Sequence, residues 1–329
     1  MIPYTERDTD LNFRPPYRIT GVEALSAVRG INREMAQLWV DETLNWRPPG
    51  EEPSPEFTAL PVAFVVFMKM AAMRSINPPH HDWGSVSESE MVVTLPLIQW
   101  DNHGLPTLPK LCFYPIVLCL DSGPALISGR EVFGFPKIMG QVEIGAAGAE
   151  ARCEVATLPG DPFTRRDQLL LSLSQVPESA AIHPETEPDS FGKGIAEMVR
   201  DELLGNLDRS RIDEILHARW SRGVLNLGLE GLVAVLEKLE ISQDFVFLKQ
   251  FRDVARPDRA CHRSVASCAL EFSKLTHLRR EAGDWTLEVP DHRSSGLLTR
   301  LGLSSGSIGA PLRAHFQFDL SLGKTLWSA

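Results

Sequence analysis

LCLDSGPALISGREVFGFPKIMG, Leu118 to Gly140, reads as an apolar strand, a Gly/Ser turn, a charged Arg-Glu pair and a second apolar segment that runs into one lysine, Lys137. Phe133, Phe135, Pro136, Ile138 and Met139 flank that lysine with non-polar side chains, and no anion stands beside it in sequence. Loss of water disfavours the charged form of an amine. A neutral amine is a nucleophile that can form an imine with a ketone. A lysine whose stem lies along apolar surface while its ammonium reaches solvent has the same local composition, so the residues alone leave both readings open.

The run from Asp121 to Gly140 resembles the signature region of the acetoacetate decarboxylase family. A strand ends in an acidic turn, Gly129-Arg130-Glu131 follows, and an aromatic-Pro-Lys closes it as Phe135-Pro136-Lys137. The resemblance implies an α+β fold: an antiparallel, cone- or barrel-like β-sheet with outer helices and Lys137 as the Schiff-base lysine in its apolar interior. It also implies a glutamate upstream, matched by Glu90, which moves a proton to or from the enamine carbon or orients the substrate. Glu90 is expected just before a strand, Met91 to Leu97, with Glu88 as a competing carboxylate. Arg130, Glu131, Phe133, Phe135 and Met68 are the candidate substrate-binding residues.

Three positions depart from the family's pattern. Ile138 stands where a second lysine follows the first, and the places of a pocket arginine and glutamate fall on Val22 and Met68. The lost charges are ones that would position a β-keto carboxylate. The reading therefore turns from acetoacetate toward aldol-type condensation with loss of water, or decarboxylation of a less polar keto acid. The alternatives are acetoacetate decarboxylase proper and a non-catalytic barrel that binds an apolar ligand. The implied partner is a small keto acid or other carbonyl compound, without a cofactor, and family resemblance implies a homo-oligomer. The similarity runs through residues 13–160 and more loosely through 245–322.

Outward from this stretch, Val62–Met73, Met91–Trp100 and Leu111–Leu120 are rich in β-branched and aromatic residues and read as strands. Asn77-Pro78-Pro79 and Asp101-Asn102-His103-Gly104 mark turns between them. Gln141–Ile144 and Ala151–Leu158 suggest a hairpin across Gly145–Gly148. Consecutive strands with short turns argue for an antiparallel sheet rather than a doubly wound one. Upstream, Val22–Trp46 carries helix formers, and the spacing predicts a helix from about Arg33 to Leu44. Residues 160–243 are expected to be a mainly helical insertion in a single domain spanning 1–329, with helices at Ile195–Leu207, Ile212–Trp220 and Leu229–Leu239. Sheet texture resumes at Phe245–Phe251, Ser264–Leu278, Trp285–Val289 and Leu312–Leu320.

The whole-chain numbers fit a soluble globular protein. At 329 residues, 43% hydrophobic and 23% charged, the chain can bury a substantial core. Its net charge of −10 argues against a nucleic-acid or anionic-membrane surface. No signal-peptide pattern opens it, and Ala59–Met73, broken by Lys69, is too short to span a bilayer. Cytoplasmic placement is expected, with Cys112, Cys119, Cys153, Cys261 and Cys268 as reduced, buried thiols. Pro79-His80-His81-Asp82 has metal-ligand residue types, but adjacent histidines on a proline turn rarely share one ion, so no metal site is expected. Phosphate-binding glycine loops and dinucleotide fingerprints are absent from the sequence.

Overall fold

A computed structural model describes residues 4–5, 7, 11–100, 110–145, 150–157, 166–176, 179, 185–206 and 242–329. In chain order its strands are β1 (Tyr17–Gly30), β2 (Glu56–Ala59), β3 (Val62–Ser75), β4 (Val86–Trp100), β5 (Lys110–Leu120), β6 (Lys137–Ile144) and β7 (Glu150–Thr157). There follow β8 (Arg166–Gln175), β9 (Ser242–Arg252), β10 (Ala260–Arg280), β11 (Trp285–Glu288), β12 (Gly306–Ile308), β13 (Leu312–Leu320) and β14 (Lys324–Ser328). The helices that matter here are α1 (Arg33–Thr43), α2 (Gly123–Ser128) and α3 (Phe191–Asn206).

The strands join in the order β12-β11-β8-β7-β6-β5-β9-β10-β13-β1-β3-β4-β2, with β14 on β10 and β4 also paired to β5. That last pairing closes a circuit through β5, β9, β10, β13, β1, β3 and β4. The sheet is mixed, which corrects the antiparallel expectation. β5 runs parallel to β6, with Leu118 opposite Lys137, and parallel to β9, with Phe113 opposite Phe245. A parallel neighbour requires a crossover, and α2 with the turn after it supplies one between β5 and β6.

Strand alternation sorts the side chains into layers. Ala63, Val65 and Phe67 of β3 pack with Met91, Val93 and Leu95 of β4, Ala36 and Val40 of α1, and Trp285 of β11. The intervening residues fall on the face shared by the closed circuit. At one end of that face Val28, Phe64, Phe113 and Leu312 pack against Ile195, Met198 and Val199 of α3. At the other end lie Val22, Met70, Val92, Leu118, Phe133, Phe247 and Phe316. α3 is tied in place where Glu202 Oε1 accepts from the Gly30 N–H at 2.7 Å.

The helix read at Arg33–Leu44 is present, capped by Asn32, whose side chain accepts from the Met35 N–H. Upstream, helical spacing gives way to β1, because β3 and β13 pair with it on both sides and tertiary pairing overrides propensity. Arg166–Gln175, within the span read as mainly helical, is a strand held between β7 and β11. The helix read at Ile195–Leu207 is seen as α3. Those read at Ile212–Trp220 and Leu229–Leu239, the turn at 101–104 and the tip of the 145–148 hairpin lie outside the described residues. Cys112, Cys119, Cys153 and Cys268 are buried thiols, but Cys261 is exposed, because it lies near the end of β10, where that strand leaves the core. Among the described residues no helix is long and apolar enough to cross a membrane.

Candidate active site around Lys137

The site begins with a local device. β5 ends at Leu120, α2 follows, and residues Gly129–Phe133 then widen into one π-helical turn. The N–H groups of Gly134 and Phe135 both reach back to the Gly129 carbonyl, at 3.0 and 3.1 Å. Gly134 closes the turn with φ +92°, in the left-handed region where a Cβ is disfavoured. Single π turns of this kind recur at functional sites. Here the turn delivers Lys137 as the first residue of β6, its backbone fixed from two sides. The Lys137 N–H donates to the Phe135 carbonyl at 2.7 Å, and its carbonyl accepts from Arg130 Nη1 at 3.0 Å.

The Lys137 side chain runs inward past Gly129. A Cβ at position 129 would lie 2.5 Å from Lys137 Cδ and 2.6 Å from Cε, so only glycine leaves the path open. The amine is 7% exposed and has two carboxylates near it: Glu90 Oε2 at 3.7 Å and Glu88 Oε2 at 3.9 Å. This corrects the picture of a lysine without an anion. Its carboxylates come from another strand, β4, where the two-residue period turns both onto one face. It also corrects the placement of Glu90, which lies inside β4 rather than ahead of it.

Burial sets the behaviour of both acids. It pushes Glu90 up to about 7, against the pull of the Lys137 ammonium, and the charge of Glu88 adds to the rise. It pushes Glu88 up as well, more than Lys137 pulls it down, with Asp121 adding to the effect. Glu88 Oε2 is buried and has no hydrogen-bond partner. The arrangement is an amine flanked by two carboxyls whose protonated forms are both favoured by burial, a set of groups that can give and take protons.

The apolar candidates divide. Phe133 and Phe135 are buried and stacked at 5.3 Å, with Phe247 against both at 6.0 and 4.9 Å. Met68 lies opposite Glu90 in the β3–β4 register and is partly buried against the same cluster. Ile138 and Met139 do not enclose the lysine; they are exposed, at 37% and 44%. Arg130 and Glu131 are exposed too. Arg130 holds the Lys137 backbone, and Glu131 accepts from Asn12 Nδ2 at 3.0 Å. Val22, at the place of the missing arginine, is buried in the apolar cluster. Among the described residues no group of three or more His, Cys, Asp or Glu could hold a metal ion. His80 is instead buried, its Nδ1 accepting from the Arg14 N–H at 2.8 Å.

Sequence reasoning took Gly129 only as part of a motif and passed over Gly134 and Lys249. Lys249 of β9 donates from Nζ to the Val132 carbonyl at 2.9 Å and so props the π turn. The paired spacing of Glu88 and Glu90 was the signal for a two-carboxylate face, once both are placed on a strand.

No protein-family model matches the chain, and no curated protein matches it. Among solved structures it is similar to an acetoacetate decarboxylase from Legionella pneumophila subsp. pneumophila str. Philadelphia 1, with a TM-score of 0.59 over 98% of this chain and 92% of that one, at 13% identity. It is similar to the enduracididine biosynthesis enzyme MppR complexed with pyruvate, with a TM-score of 0.50 over 97% and 93% of the two chains, at 12% identity. It is also similar to an acetoacetate decarboxylase-like enzyme from Sphingomonas wittichii RW1, with a TM-score of 0.50 over 96% and 94%, at 12% identity. At these identities the likeness is one of fold.

Proposed function

We propose that this chain, which carries the acetoacetate decarboxylase-like fold, is a lyase that forms a Schiff base through Lys137 with a small keto acid or related carbonyl compound. The observation that carries the reading is the buried Lys137 amine between Glu88 and Glu90 on an otherwise apolar face. In the first step the Lys137 nitrogen bonds to the carbonyl carbon, and the carbonyl oxygen leaves as water. The resulting iminium is an electron sink. Loss of a proton, or of CO₂ from a β-keto acid, gives the enamine, and Glu90 is the group that moves the proton at that carbon. The enamine then either takes up a proton or adds to an aldehyde, and loss of water from the adduct gives an unsaturated product. Phe133, Phe135 and Met68 form the apolar surroundings of the substrate, and Arg130 acts by holding the lysine backbone. Ile138, at the place of the family's second lysine, is exposed, so a cation there would lie away from the amine. Condensation with loss of water, or decarboxylation of a less polar keto acid, suits this apolar site better than acetoacetate itself. The MppR neighbour, solved with pyruvate, is in keeping with a keto acid as the electrophile.

The test is reductive trapping. Incubation with a panel of 2-oxo and 3-oxo acids followed by borohydride is expected to label the peptide containing Lys137, as read by mass spectrometry. Lys137→Ala and Lys137→Arg should both abolish the adduct, since a guanidinium stays protonated and cannot condense. Absence of labelling in the wild-type protein, or equal labelling of surface lysines and of the alanine variant, leaves a barrel that binds an apolar ligand without catalysis.

A further inference from the structure

The imine pathway needs protons in two places, and this site has two carboxyls to supply them. One proton is removed from or returned to the carbon next to the imine. The other must reach an oxygen, because the first adduct of amine and carbonyl, a carbinolamine, expels its hydroxyl only as water.

Three observations separate Glu88 from Glu90. The Glu88 side chain is 2% exposed, against 9% for that of Glu90. Its Oε2 has no hydrogen-bond partner although it lies 3.9 Å from Lys137 Nζ, so it is free to meet an oxygen borne by a carbon bonded to that nitrogen. Behind it, Asp121 accepts from the Ser89 N–H at 2.8 Å, and the charge of Asp121 adds to the burial that favours the protonated form of Glu88. Glu90 is differently placed. Its side chain is 9% exposed, and its Oε2 lies 3.7 Å from the amine.

Resting on the Schiff-base reading above, we propose that Glu88 is a second catalytic acid–base group, the one that protonates the departing carbinolamine oxygen. In that step the carbon–oxygen bond breaks with its electron pair going to oxygen, which takes the Glu88 proton and leaves as water. The nitrogen lone pair forms the carbon–nitrogen double bond. Glu88 is left as a carboxylate beside the new iminium, and it takes its proton back when water adds during product release. Glu90 then serves the neighbouring carbon alone. Two separate proton-transfer groups suit a condensation that expels water more than once.

The experiment uses the intact protein and two reagents. 2,4-Pentanedione condenses with an amine through a carbinolamine and gives a conjugated enaminone that absorbs in the near ultraviolet. Cyanate carbamylates an amine without expelling water, so it reports nucleophilicity alone. Both reactions are followed at Lys137 by peptide mass spectrometry in wild type, Glu88→Gln and Glu88→Asp. Glu88→Gln should form the enaminone about a hundredfold more slowly, within the range of general acid catalysis, while carbamylation stays within about twofold. Glu88→Asp should recover part of the rate. Wild-type enaminone rates in Glu88→Gln, or equal falls in both reactions, overturn the role of Glu88 and leave the Schiff-base reading standing. A wild-type protein that carbamylates at Lys137 but never forms the enaminone overturns both.

Discussion

Gly129 is the least reactive residue at the site and one of the most restrictive. The lysine stem passes where its Cβ would be, so even one methyl group must push Lys137 aside. A displacement of about 1 Å at a reacting group can cost on the order of a hundredfold in rate. Gly129→Ala is accordingly expected to slow imine trapping by about that factor while the circular dichroism spectrum stays that of the wild type. Glu90 gives a residue-scale expectation for pH. Its folded-state value of about 7 lies above the ordinary carboxyl range, so between about 4.5 and 7 the folded protein holds a proton that the unfolded chain has released. Stability therefore falls as pH rises through that window. Urea unfolding at pH 5 and pH 8 should show a smaller loss in Glu90→Gln than in the wild type, because the amide has no proton to release.

At the scale of elements, the crossover from β5 to β6 decides where the lysine goes. Gly134 holds its turn at φ +92°, and a Cβ there would meet the Lys249 backbone Cα at 2.6 Å. Gly134→Ala thus combines a strained backbone with a collision against a strand that cannot move freely. A loss of about 2 kcal/mol or more in urea denaturation is expected, together with loss of trapping, since the same turn sets the lysine backbone. Much of this crossover was legible in the sequence, because Gly129-Arg130-Glu131 and Phe135-Pro136-Lys137 are a contiguous motif. What escaped notice were facts of alternation and pairing. Ile138 read as a wall beside the lysine, yet a strand turns neighbours to opposite faces. Glu88 and Glu90 read as a loop because Ser-Glu-Ser-Glu is polar, although β3 and β5 pair on either side of Glu90 and hold it in the sheet. The Val22–Gly30 part of β1 read as a run of helix formers for the same reason in reverse: its alanines and leucines say little about strands until two neighbours bond to it.

At the scale of the whole molecule, the closed circuit is pinned where β13 meets β1. Arg313, 4% exposed, reaches from β13 to the carboxylates of Glu281 and Glu23. Glu281 is itself 5% exposed, so removing the arginine leaves a buried charge whose remaining ion-pair partner among the described residues is Arg279 Nε, at 3.3 Å. Arg313→Met is expected to cost about 3 kcal/mol in urea denaturation, and a second change, Glu281→Leu, should restore much of it, because losing both partners is cheaper than stranding one.

That seam has a bearing on how the protein is made. Tyr17 pairs with Leu320 across β1 and β13, and a ribosome adding about 5–20 residues per second needs roughly 15–60 s to go from one to the other. Throughout that interval β1 can pair with β3 but keeps its other edge open, an unsatisfied row of N–H and C=O groups that other chains can bond. β13 thus acts as a latch on synthesis. Until it emerges, the nascent protein is a sheet with a sticky margin, and its demand for chaperones lasts through that interval.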